Sequence, residues 1–173
     1  MTPSEELKIS FCFFDFRDAD GPLSCRPEPI TKADDDGFDV LFENNEEFQG
    51  KFSIFYQGAE AIINDDIFSL TRNMCFRSMD KLVLRNEVRL MYFTTGGYIN
   101  MTPENEWMII SGDHFETIRV PYRAFIESIF DLGVRFKAFF ERLAPKSEEN
   151  NALLQLLKED EAAAKLVLES HKH

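Results

Sequence analysis

The chain has 173 residues, 44% of them hydrophobic, which is enough to bury one sizeable core without staples. Its net charge of −12 argues against nucleic acid as a direct partner, because binding to phosphates is driven by Lys and Arg and the release of counterions. No apolar window approaches the length of a membrane span, and the start MTPSEELK lacks both parts of a signal peptide, so a cytoplasmic location without a membrane partner is expected.

Cys12, Cys25 and Cys75 are odd in number and widely spaced, which predicts reduced, structural thiols. The 18 Phe residues belong mostly in a core, where each ring buries a large apolar area. Charge is uneven along the chain. Residues 1–50 hold 13 acidic against 4 basic side chains, residues 51–143 hold 12 against 11, and residues 144–173 hold 6 against 4. Three-quarters of the net charge therefore falls in the first third.

In chain order, Leu7 to Phe16 reads as a strand with both faces at least partly covered, which places it centrally or under a helix. Arg17 to Lys32 contains Gly21, Pro22, Pro27 and Pro29 and reads as a long surface loop, continued by the carboxylate run Asp34, Asp35, Asp36 to make an acidic, Pro-rich loop over 17–37. Phe38 to Glu43 reads as a short strand that pairs across the turn at 44–50 with Lys51 to Gln57, giving an acidic-tipped hairpin. Ala59 to Ile63 fits either a strand or the lead into a helix. After the capping candidates Asn64, Asp65 and Asp66, helical spacing predicts a central helix from about Asp66 to Asp80.

Leu82 to Phe93 alternates as a half-buried strand, with Leu82, Leu84, Val88, Leu90 and Tyr92 on the dry side. The TTGG turn at 94–97 follows, then strands at Tyr98–Met101, Trp107–Ser111 and Phe115–Val120, which together predict an antiparallel meander. From Pro121, Phe125, Ile129, Leu132, Phe136, Phe139, Phe140 and Leu143 recur at helical steps until Pro145, with Gly133 marking either a close approach or a weak point. Ser147 offers an N-cap for a last helix, roughly Glu148 to Glu169. The expected fold class is α+β: an antiparallel, mostly meander sheet of about six to seven strands against a long Phe-rich helix, plus one central and one C-terminal helix. Residues 1–145 form the domain, and 146–173 pack on it or serve association, including homodimerisation.

No catalytic, cofactor or metal motif stands out, so no enzyme activity and no cofactor are assigned. His114 beside Asp113 is the one histidine inside the fold, and no nucleophile or donor set accompanies it in sequence. The run Asp18, Ala19, Asp20, Gly21 resembles the start of a calcium loop, but Pro29 occupies the closing position where a bidentate Glu belongs. Adjacent carboxylates at 34–36 point in different directions on an extended segment, which suits solvation better than metal binding. Glu104, Glu106, Asp113 and Glu116 sit at strand ends and turns, where charge is expected anyway.

The acidic N-terminal third points to protein recognition, since a stiff, charged loop steers an oppositely charged partner and loses little entropy on docking. The partner-binding candidates are Asp18, Asp20, Asp34, Asp35, Asp36, Asp39, Glu46 and Glu47. With acids clustered in DADG, ADDDGFD and ENNEEF, the chain resembles the immunity proteins that bacteria make against polymorphic or contact-dependent toxins. That resemblance implies an inhibitor that neutralises a basic, nuclease-type toxin by covering it with acidic side chains. The alternative is a small-molecule-binding or hydrolase-like domain with a pocket between the Phe-rich helix and the sheet, near His114.

Overall fold

The computed structural model describes residues 6–17 and 23–172. Strand β1 (Lys8–Asp15) alternates as its sequence demands, with Ile9, Phe11 and Phe13 buried. It lies inside a four-stranded antiparallel sheet of order β2-β1-β3-β4, between β2 (Ser24–Pro27) and β3 (Gln49–Tyr56), and β4 (Ala59–Asp66) closes the far edge. The central placement expected for β1 is thus met. The segment expected to be loop contributes β2, a short edge strand whose Pro27 sits at its end, where a missing donor is tolerated.

Phe38–Glu43 corrects the expected hairpin, because it forms a short helix, α1. In six residues the two periods compete. Phe38, Val40 and Phe42 fit a strand, while Phe38, Leu41 and Phe42 fit a helix, and the second set is the buried one. Strand β3 therefore pairs with β1 and β4 instead. The β3–β4 connection is the two-residue turn Gln57–Gly58, with φ of 49° and 80°, the positive pair that a tight hairpin turn requires. That turn makes Ala59–Asp66 a strand.

The expected central helix is present from Ile67 but continues to Leu82 in three parts: α2 (Ile67–Leu70), a π-helical segment (Thr71–Arg77) and α3 (Met79–Leu82). Leu82 is consequently a buried helical residue, Leu84 is exposed, and strand β5 runs only over Val88–Met91. From there the meander is as expected: β6 (Tyr98–Glu104), β7 (Trp107–Gly112) and β8 (Ile118–Pro121) complete a second antiparallel sheet of order β5-β6-β7-β8. The strands thus form two four-stranded sheets, where one of six to seven strands was expected. Sequence-local alternation marks strands but carries no information about which ladder each one joins.

Helix α4 (Tyr122–Leu143) starts after Pro121, and α5 (Glu148–Ser170) is capped by Ser147, whose hydroxyl accepts from the Asn150 amide at 3.0 Å. The α4 rings fill the space against the first sheet: Phe136 meets Phe11 with ring centres 5.4 Å apart, and Phe139 stacks on Phe42 at 5.4 Å. Gly133 is a close-approach site. A Cβ there would lie 2.6 Å from the Phe76 ring and 2.7 Å from Cys75, so the π segment is pressed against bare α4 backbone. Among the described residues, no helix is long and apolar enough to cross a membrane.

Cys12 and Cys25 form a disulfide, with Cα atoms 5.5 Å apart, joining neighbouring strands β1 and β2. This corrects the expectation of three reduced thiols. The pairing that brings the two together is a long-range fact with no counterpart in cysteine spacing. Cys75 remains a free, buried thiol, its pKa raised by burial. Disulfides persist in oxidising surroundings, so the cysteines lend no weight to a cytoplasmic location.

Candidate functional site

Of the eight acids expected to face a partner, Asp18 and Asp20 lie outside the described residues. The other six fall on one stretch, from the short 3-10 turn at Lys32–Asp35 through α1 to the turn before β3. They divide into two groups. Asp34 and Asp35 are engaged in folding. One carboxylate oxygen of Asp34 accepts from the Thr31 amide (2.9 Å), the Ile30 amide (3.1 Å) and the Thr31 hydroxyl (3.1 Å). These bonds, the Thr31 amide first, hold the carboxyl below its ordinary pKa. Asp35 makes a two-pronged pair with Arg142 at 2.9 Å on both prongs, fastening the turn to the last turn of α4.

Asp36, Asp39, Glu46 and Glu47 are exposed, and among the described residues none has a cation within ion-pair distance. Glu43, at the end of α1, is a fifth carboxylate of the same kind. It opens the ENNEEF cluster but is not among the eight candidates. On a helix it shares the outward side with Asp39, four residues before it.

The ridge is held from behind. Phe38, Leu41 and Phe42 anchor α1 in the aromatic core, and the Arg26 guanidinium caps the Phe38 ring at 4.2 Å while donating to the Asp34 carbonyl at 2.6 Å. Buried Asn45 fixes the far end. Its side-chain amide donates to the carbonyls of Phe14 (3.2 Å) and Gln49 (2.8 Å), and its oxygen accepts from the Gln49 amide at 2.8 Å. The Glu46–Glu47 turn is thereby tied to both β1 and β3. A long-range ion pair supports the same side of the molecule: Arg135 on α4 pairs with Glu28 and donates to the Ile9 carbonyl at 2.9 Å. Desolvation dominates at Glu28, whose pKa is raised despite that pair.

The other candidates lie in turns, loops and at a strand end of the second sheet. His114 sits at φ 75° with Nε2 3.2 Å from the Gly96 carbonyl and its ring 5.4 Å from Tyr92. Tyr92 donates its hydroxyl to the Asp113 carbonyl at 2.8 Å, and the Asp113 carboxylate accepts from the Tyr98 amide at 2.8 Å. Together these bonds lock the SGDH turn onto the TTGG turn. Glu104 ends β6, Glu106 sits in the turn before β7 and Glu116 in the loop before β8, and all three are exposed. Among the described residues no group of three or more His, Cys, Asp and Glu is placed to hold a metal.

The sheet expected beside the Phe-rich helix is divided in two, and the space between α4 and the first of them is filled by Phe11, Phe13, Phe136 and Phe139. A groove of about 860 Å³ lies elsewhere, between α4 and the end of α5, with Ile126, Phe130, Val134 and Leu168 among its walls. Comparison with family models, curated proteins and solved structures finds no match.

Proposed function

We propose that this protein is a binding inhibitor of the immunity type, which neutralises a basic, nuclease-type toxin through the acidic ridge of α1 and its flanks. The observation that carries this reading is the contrast within one stretch of chain. Asp34 and Asp35 are engaged by the fold, whereas Asp36, Asp39, Glu43, Glu46 and Glu47 stand exposed with no cation within ion-pair distance among the described residues, Asp39 and Glu43 on the α1 helix that three buried apolar side chains anchor and the other three in the turns that flank it. Unpaired like charges repel one another, so a rigid ridge of them is a standing electrostatic investment that an incoming cationic surface relieves. Anchoring lowers the entropy lost on docking, and the ridge steers encounter.

The test is association with a candidate basic nuclease toxin, followed by stopped flow and by inhibition of nucleic-acid cleavage. Changing Asp36, Asp39, Glu43, Glu46 and Glu47 to their amides is expected to lower the association rate at least tenfold at low salt, to flatten its salt dependence and to leave the unfolding midpoint unchanged or slightly raised, because the repulsion among the five is removed. An unchanged rate with an unchanged salt slope sinks the proposal. Asp34→Asn and Asp35→Asn belong to a different class and are expected to loosen the 30–36 turn.

A further inference from the structure

The second sheet has one face packed on the core and one face left open. Val88, Ile99, Met101, Met108, Ile110, Ile118 and Val120 are buried on the first. On the other, the ladder register makes two adjacent rows. Arg89, Asn100 and Ser111 stand side by side across β5, β6 and β7, and Thr102, Ile109 and Arg119 across β6, β7 and β8. Met91 beside Tyr98 extends the face at one end, and Trp107 beside Glu104 at the other. None of these side chains is buried.

This composition is unusual for an open surface of a chain with 31 acidic residues. Arg, Trp, Tyr and Met are the residues enriched in interface cores and hot spots, while the carboxylates Glu104, beside Trp107, and Asp113, beside Tyr98, stand at its corners. Both arginines sit over rings: the guanidinium carbon of Arg89 is 3.7 Å from the Tyr98 ring centre and that of Arg119 is 4.5 Å from that of Trp107. Neither has a carboxylate within ion-pair distance among the described residues. Stacking holds each guanidinium in place and leaves its N–H edges for a planar oxyanion. Three strand spacings of about 4.8 Å and a two-residue stagger of about 6.8 Å set the two arginine backbones about 16 Å apart.

We propose that this open face docks an acidic protein surface, with Arg89 and Arg119 each taking a carboxylate and Ile109 with its neighbours forming the flat, drier centre. The guanidinium groups cover the Tyr98 and Trp107 faces, so these rings are not free platforms for nucleobases. At physiological salt the screening length is about 8 Å, so a partner's carboxylates feel the local guanidinium pair more than the distant acids of the N-terminal third. The site is separate from the acidic ridge and serves a partner of opposite charge.

Trp107 is the one tryptophan in the chain and lies on this face, which makes its emission a local reporter. Poly-L-glutamate is titrated against the full chain, with a single-stranded oligodeoxynucleotide of thymidines alongside. The expected result is a saturable change in Trp107 emission with poly-L-glutamate, at least tenfold weaker after Arg89→Ala with Arg119→Ala and weakened again in 0.5 M salt. Arg89→Lys with Arg119→Lys keeps the charge and loses the fork, so binding falls severalfold; this variant decides the matter if the alanine pair fails to fold. The proposal is overturned by an absent response, by a response equal in wild type and both variants, or by a response confined to the oligonucleotide. Amide substitutions along the acidic ridge leave the Trp107 response in place, which keeps this result distinguishable from failure of the inhibitor reading.

Discussion

Two single residues expose the forces that shape this protein. Gly133 sits in a helix interior, where glycine ordinarily weakens a helix by about 1 kcal/mol relative to alanine, yet the Phe76 ring and Cys75 leave no room for a methyl group. Gly133→Ala sets an overpacking term of about 1–3 kcal/mol against that gain. A net loss of up to about 2 kcal/mol is expected, seen as a lower urea midpoint at unchanged m-value. The sequence marked Gly133 as a close approach or a weak point, and only the position of the π segment chooses between them.

Asp66 gives a pH-dependent counterpart. It caps α2 by accepting from the Ser69 amide at 2.8 Å, yet desolvation, reinforced by neighbouring Asp65, pushes its pKa up to about 6 from 3.8. A raised carboxyl pKa means that the folded state holds the proton longer than the unfolded chain. The contribution is therefore full below about pH 4 and is lost as pH rises through about 6. Asp66→Asn keeps a capping oxygen and removes the charge. Urea unfolding of both proteins should show the variant more stable at pH 7.5, on the order of 2 kcal/mol, with the difference closing as pH falls to 4. A difference constant across that range would contradict the assignment. Asp65, by contrast, is a clasp: it accepts from the Phe93 amide (2.7 Å), the Thr94 amide (2.9 Å) and the Thr94 hydroxyl (2.7 Å), tying the end of β4 to the turn after β5.

Among elements, α1 and β2 show where pattern reading runs out. A six-residue run of two Phe, one Val and one Leu satisfies either period, and docking of its Phe residues on Phe139 decides for helix. Strand β2 is four residues long and is held by pairing with β1 and by the Cys12–Cys25 bridge, neither of which has a local signature. Peptide mapping without reductant should recover a fragment linking Cys12 to Cys25. Reduction should lower stability by about 2–3 kcal/mol, the range for a loop of this length, and should leave Cys75 unreactive until unfolding. Helix α5, legible from its cap and leucine spacing, is fastened through buried Leu157 and Ala164 and through the pairs Arg72–Asp160, Lys137–Glu161 and Lys158–Glu141.

On the scale of the whole molecule, the charge asymmetry acquires a shape. Part of the N-terminal excess of acids stands exposed on α1 and in the turns either side of it, and the nearly neutral middle section supplies the open sheet face with its two arginines over aromatic rings. Raising salt should therefore slow association with a basic partner at the ridge and weaken an acidic one at the sheet, and amide substitutions on the ridge should remove only the first effect. Measuring both responses on one preparation separates the two surfaces.

By itself the sequence determined the features that depend on near neighbours. These are the α+β class, the alternation of β1 and of the meander, the α4 and α5 spans with their Pro121 and Ser147 starts, and the placing of acids in the first third. Tertiary structure alone decided the division into two sheets, α1 as a helix, the Cys12–Cys25 bridge, and which carboxylates remain free. The physical reason is common to all four. Each is settled by partners distant in sequence, as Arg142 is from Asp35 and Phe139 from Phe42, and no local periodicity encodes where such partners meet.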